Sequence, residues 1–427
     1  MYNVVEFGAV ADGKTLNTKA FQSAIDECAK NGGGKVTVPA GEFYLGTIWL
    51  KDNVEFHLEA GAKIFASKSL EDYNESDAYP QNWDGLSEHW LGKHLIIAHE
   101  VKNVSITGFG EIDGNGDSFF GRIDKHLTWQ TGYVFRDGFA RTKDLKPSRP
   151  GQMICFIECE NVKVMDVIIK NGPCWTCYFY GCEVVQVRGV KIFNPSHFAN
   201  TDGLDIDCSR FVTVSDCIIL TGDDAIAIRC SSARLKKYRP CEYVTITNCV
   251  TSSSACGVRI GVGAGELRNV CISGLVMKSA GYGFWVRTRY GVNCDGRIEN
   301  VQISNVVATD VGLPITVESD KGFAKNIKFS NMRFESTGGS KIIELTGGEV
   351  SGITLKDIDF VIKKEEGVEF TENKINTRGE YALTVKNAKD VTLDGVRVIM
   401  DEDTLKDWKG RFVKENAENI IVKDCAL

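Results

Sequence analysis

Apolar residues recur in two different rhythms along this chain. Between residues 17 and 31 the rhythm is helical: Ala20, Phe21, Ala24, Ile25, Cys28 and Ala29 fall on one face at three- and four-residue spacing. Asn17 or Thr18 is placed to cap the start of this helix, and Asn31-Gly32-Gly33-Gly34 ends it. Beyond Gly34 the period shortens to two, in short β-rich pieces such as Lys35-Val36-Thr37-Val38 and Glu55-Phe56-His57-Leu58.

From residue 101 the pieces become a loose repeat. Each unit opens on a strand of the form Asn-Val-x-Ile and continues through a turn into a second short strand. Asn103-Val104-Ser105-Ile106, Asn161-Val162-Lys163-Val164, Phe211-Val212-Thr213-Val214 and Tyr243-Val244-Thr245-Ile246 begin the series. Asn269-Val270, Asn300-Val301, Asn326-Ile327, Gly352-Ile353, Asp390-Val391 and Asn419-Ile420 continue it. Val184 to Val212 is a step of 28, Val244 to Val270 and Val301 to Ile327 are steps of 26, and Val391 to Ile420 is a step of 29.

A strand-rich period in the twenties with no crossover helix predicts a parallel β-helix, in which each coil lies about 4.8 Å above the last. The fold class expected is therefore all-β, a single-stranded parallel β-helix forming one domain over residues 1–427. Val, Ile, Phe and Cys fill its interior and the other strand face turns outward. The helix at 17–31 covers the open end of the coil stack, where strand edges would otherwise stand unpaired. Residues 67–100 and 117–152 break the rhythm and read as inserted loops over a cleft. They carry Tyr73, Tyr79, Trp83, Trp90, Trp129 and Tyr133, which suit either stacking on sugar rings or anchoring the loops.

Composition narrows the partners. The chain is 43% hydrophobic and 25% charged, so it is globular and not disordered. It holds no apolar run long enough to span a membrane. The net charge of -7 argues against nucleic acid and anionic membranes, which call for a basic patch. Fifteen cysteines with no basic-then-apolar leader predict reduced thiols and a cytoplasmic location. Cys174 and Cys177 form a C-x-x-C outside any thioredoxin-like context, and read as core packing. The oligomeric state is not legible.

Asn200-Thr201-Asp202-Gly203 and Gly222-Asp223-Asp224 carry the strongest chemical signal. Asp202 and Asp223 are 21 residues apart, close to one coil, so the two carboxylates are expected about one strand spacing apart, with Asp224 beside them. Like charges at that range disfavour full ionisation and raise at least one pKa. An acid beside ionised bases is what glycosidic hydrolysis needs. Two other readings fit the same residues: Asx turns, and a Ca²⁺ site built of carboxylate oxygens.

These motifs resemble glycoside hydrolase family 28, the polygalacturonase-like pectinases. The stretch from Phe7 to Gly13 and the segment from Gly32 to Gly41 are similar to that family's opening, and Asn200-Thr201-Asp202 and Gly222-Asp223-Asp224 match two of its signatures in order and spacing. Arg287-Thr288-Arg289 stands where the family has Arg-Ile-Lys. The resemblance implies a right-handed β-helix and hydrolysis with inversion. It makes Asp223 the general acid, gives Asp202 and Asp224 the attacking water, and assigns Arg287 and Arg289 to a uronate carboxylate. The family's Gly-His-Gly is absent: Ala255-Cys256-Gly257 stands at that place, with Cys256 where the histidine would be, and no histidine follows His197. His197 and Asn200, around the first motif, and Cys256 are expected to touch substrate.

The expected function is thus an inverting glycosidase, exo-acting on uronate-containing oligosaccharides derived from pectin, with no cofactor and no resident metal. A β-helix lyase using Ca²⁺ and an arginine base, and a non-catalytic carbohydrate-binding β-helix, are the alternatives.

Overall fold

The computed structural model describes residues 1–75, 90–119, 149–196, 198–231, 235–289, 295–364 and 378–427. Within them the chain is a parallel β-helix with an N-terminal helix. Strand stacks on strand in parallel, and in-register apolar columns run along the stack. Val104, Val162, Val185 and Val212 form one such column, buried throughout. Val244, Val270, Val301, Ile327, Ile353 and Val391 form another. Each fully buried Val or Ile is worth roughly 1.5–3 kcal/mol relative to an exposed one, so the repeat is itself the core. Aromatic rings extend it: Phe156 stacks on Phe179 at 5.3 Å, and Phe334 on Phe360 at 5.8 Å.

The register corrects one count made from sequence. Val185, not Val184, lies opposite Val212. Val184 takes a left-handed backbone (φ 58) and is exposed, so the inward alternation begins one residue later. The same conformation recurs at the first residue of every repeat unit from Asn103 to Asn419, and this turn sets the phase of the strand that follows.

Helix Thr18–Lys30 turns Phe21, Ala24, Ile25 and Cys28 inward. Phe21 meets Phe43 edge-on at 5.5 Å and approaches Phe56 at 6.2 Å. Asn17 is its N-cap residue without making the usual cap bond: its side chain is spent on the backbone of Val10 and Thr15. Gly33 follows the helix at φ 106. A Cβ there would lie 2.4 Å from the Asn53 backbone, so only glycine lets the chain pass.

The described residues group into two compact units. One holds those up to Asp223 together with 235–237, and the other holds the rest from Asp224 onward. Of the two insertions, the described ends meet in the first unit: Trp90–Leu91 pairs in parallel with Arg149–Pro150. Tyr73 and Trp90 are both buried, Tyr73 hydrogen-bonded to the Ser67 carbonyl and Trp90 against Trp175, so these two anchor the loops and do not face sugar. Tyr79, Trp83, Trp129 and Tyr133 lie outside the described residues. Among the described residues no cysteine is in a disulfide, and Cys174 and Cys177 are fully buried. No helix among them is long and apolar enough to cross a membrane.

Candidate active site

In the first unit, the turn bearing Asn200, Thr201 and Asp202 runs into strand Leu204–Asp207, and Thr221 ends the strand before Gly222-Asp223. A web of buried polar groups fixes both. The Thr201 hydroxyl donates to the Phe198 carbonyl (2.8 Å) and accepts from the Gly222 N–H (3.2 Å), which links the two motifs directly. Asn194 donates to the Thr201 carbonyl and to the Thr176 hydroxyl, and accepts from the Gly172 N–H. The Thr221 hydroxyl donates to the Asp223 carbonyl. Gly222 is required by space: a Cβ would stand 2.0 Å from the Phe198 carbonyl oxygen.

This scaffold brings a carboxylate oxygen of Asp202 within 4.8 Å of one of Asp223. Asp202 is buried and Asp223 half-buried. The Asn200 N–H donates to Asp223 Oδ2 at 3.0 Å, from a residue in the left-handed region (φ 52). The Asn200 side chain is engaged within the protein, accepting from Arg149 Nη2 at 2.9 Å. His197 lies outside the described residues.

Asp224 is the next residue, and the second unit begins with it. There the Cys256 thiol is buried beside Asp224, and burial first, then the Asp224 charge, push its pKa well up. The Ala225 N–H bonds to the Cys256 carbonyl, and Arg259 Nη1 reaches the Cys256 sulfur at 3.9 Å. Arg259 lies flat over the Trp285 ring at 3.7 Å, and Trp285 stacks on Tyr282 at 4.2 Å. These residues come together because Arg259 and Trp285 are opposite each other in register, with Thr316 and Lys341 on the following rungs. Trp285 Nε1 donates to Glu318. Burial pushes the Lys341 ammonium down, and Glu318 opposes that shift. Burial raises the Tyr282 phenol.

Arg287 ends its strand half-buried. It donates to Asp320 Oδ2 through Nε at 3.2 Å and Nη2 at 2.9 Å, with Glu318 at 3.8 Å. Arg289 follows beyond the strand end, also half-buried. Arg149, Arg259, Trp285, Glu318, Asp320 and Lys341 were not singled out from sequence. Val258-Arg259-Ile260 alternates like any outward-facing strand, and nothing in that pattern says the outward arginine is covered by an indole.

Among the described residues, two groups of side chains have the donor atoms for a cation. Asp202 and Asp223 offer hard oxygen ligands. His99, Glu100 and Glu158 offer a second set, in which Glu100 is already paired with Lys236.

Comparisons with known proteins place the chain in a family and match its fold. The model of glycosyl hydrolases family 28 matches residues 28–392. The chain is 25% identical over 401 residues to a probable polygalacturonase of Vitis vinifera, covering 82% of this chain and 78% of that protein. It is 26% identical over 449 residues to an exo-poly-alpha-D-galacturonosidase of Dickeya chrysanthemi, covering 97% of this chain and 66% of that protein. Among solved structures, a family 28 exopolygalacturonase of Yersinia enterocolitica superposes with a TM-score of 0.74 at 20% identity, over 98% of this chain and 78% of that one. A polygalacturonase of Erwinia carotovora gives a TM-score of 0.66 at 20% identity, over 97% and 95%. At those identities the superpositions speak for the shared fold.

Proposed function

Because the chain belongs to glycosyl hydrolase family 28 and is a glycosidase, we propose that it hydrolyses galacturonosidic bonds in pectin-derived oligosaccharides, working from a chain end. The observation that carries this reading is the Asp202–Asp223 pair, held within 4.8 Å by buried hydrogen bonds. Two carboxylates forced together share protons unequally, so one serves as acid while the other stays ionised. We assign the acid to Asp223. The Asn200 N–H donates to its Oδ2 and holds the carboxyl in place, which supports that role. Asp202, with Asp224 one peptide bond further on, takes the base's role toward water. The names of the Dickeya and Yersinia relatives support galacturonan as substrate and attack at a chain end.

The deciding experiment pairs Asp223→Asn with a panel of plant-wall oligosaccharides. The wild type releases galacturonic acid. The folded variant loses activity by at least about 10²–10⁴-fold, the usual worth of a general acid. Wild-type turnover by that variant sinks the assignment. An ultraviolet-absorbing, unsaturated product that disappears with chelator would establish a lyase instead. Saccharide binding with no turnover on any glycan would establish a binding module.

A second stereochemical reading is retention, in which one carboxylate attacks as nucleophile and a covalent intermediate is then hydrolysed. The resemblance to family 28 implies inversion, with water held among several carboxylates and no protein nucleophile. Proton NMR of the first-formed anomer separates the two: an inverted product supports water attack, and a retained one makes Asp202 a nucleophile.

A further inference from the structure

We propose that Arg149 is a positioning residue, which clamps the turn at 199–200 and so holds the Asn200 N–H on the Asp223 carboxylate. This rests on the reading above, in which Asp223 delivers the proton. Arg149 sits on the short strand Arg149–Pro150, outside the repeat, and among the described residues that strand pairs with Trp90–Leu91. It is 4% exposed. A buried guanidinium persists only where its donors are satisfied. Here Nη1 donates to the carbonyls of Pro173 and Ala199, each at 2.9 Å, and Nη2 donates to Asn200 Oδ1 at 2.9 Å. One side chain thus ties together the loop before strand Cys177–Tyr180 and the turn before Asp202.

The connection to chemistry is one residue long. Asn200 is gripped through its side chain and through the carbonyl just before it, and its own N–H is the donor to Asp223 Oδ2. The Thr201 and Asn194 bonds hold the turn after Asn200, and the grip of Arg149 on the Ala199 carbonyl, in the same peptide plane as the Asn200 N–H, fixes the direction of that N–H. A planar fork with several donors suits three acceptors on two loops, and an ammonium does not.

The test measures kcat and KM on a galacturonide oligomer for Arg149→Met, Arg149→Lys and Asn200→Gly, with Asp223→Asn alongside. Arg149→Met is expected to lower kcat by about 10–100-fold, as small misplacements of a reacting group do, while KM changes less than about threefold. Arg149→Lys recovers part of the lost kcat. Asn200→Gly keeps the N–H and the left-handed backbone but removes the acceptor, and lowers kcat with KM little changed. It carries the test should Arg149→Met fail to fold. A folded Arg149→Met with kcat within about twofold of wild type, or a loss that falls on KM and spares kcat, overturns the inference while an inactive Asp223→Asn keeps the site reading. Wild-type turnover by Asp223→Asn overturns the site reading itself.

Discussion

Arg287 does not wait for a substrate with an idle guanidinium. Asp320 receives two of its N–H groups and Glu318 stands at 3.8 Å, so under the proposed function a uronate carboxylate arriving at Arg287 would compete with protein carboxylates for the same donors. The pair is partly solvated, with side chains 30% and 12% exposed, and a pair of that kind is worth about 0.2–1 kcal/mol. Asp320→Asn keeps an acceptor in place and removes the competing charge. It is expected to lower KM for a galacturonide about 2–5-fold and to leave KM for a neutral analogue unchanged, whereas Arg287→Ala raises the former. A higher galacturonide KM in Asp320→Asn would show that Asp320 aims Arg287 and does not compete with the substrate. Cys256 yields a second expectation at this scale. Burial and the Asp224 charge keep its thiol protonated, while Cys271 is exposed and Cys425 half-exposed. Native alkylation followed by peptide mapping should label Cys271 and Cys425 and spare Cys256 and Cys177 until the chain unfolds. Labelling of Cys256 at the rate of Cys271 would mean that its surroundings open in solution. Cys256 was legible as a place in a motif. Its partners Arg259 and Trp285 were not, because alternation tells which face a residue takes and not what covers that face.

The repeat unit has its own logic, and there the sequence was most informative. An opening asparagine was visible as a recurring letter, and the structure gives it two tasks. It tolerates the left-handed turn, and its side chain bonds to the asparagine one coil away. Asn326 donates to Asn300 at 2.7 Å and Asn300 to Asn269 at 3.2 Å. Phe211 and Tyr243 hold the same position, at φ 56 each, with side chains about half exposed. A non-glycine, non-asparagine residue in that region costs about 1–2 kcal/mol. Tyr243→Asn should therefore stabilise the chain by about 0.5–1.5 kcal/mol, since the new amide also meets Asn269 on the next rung. A urea titration reads this as a higher midpoint. A lower midpoint would show that ring packing outweighs backbone strain. The phase of each strand escaped the sequence wherever, as at Val184-Val185, two apolar residues stood together and only the turn conformation decided which one pointed inward.

At the scale of the whole chain, what eluded the sequence was how the insertions attach. Residues 67–100 and 117–152 interrupt the period, and interruption alone gives no address. Their described ends pair as Trp90–Leu91 with Arg149–Pro150, and Arg149 bonds directly to the turn beside Asp202. The described ends of the insertions are thus rooted in the first unit, beside the turn that carries Asp202. The net charge of -7 adds a general repulsion toward a long polyanion, which a short acidic fragment feels far less. That repulsion fits the proposed attack at a chain terminus. On a defined series of galacturonide oligomers, one fixed small product should appear from the first minutes, with each longer oligomer passing through the next shorter in turn. The preference for short substrates should weaken as salt screens the repulsion, because the Debye length falls to about 3 Å at 1 M. A chain-end mode of attack does not depend on that repulsion, so the pattern of products should stay the same at every ionic strength. A rapid fall in polymer viscosity with a spread of mid-sized products would show instead that the chain is cut internally.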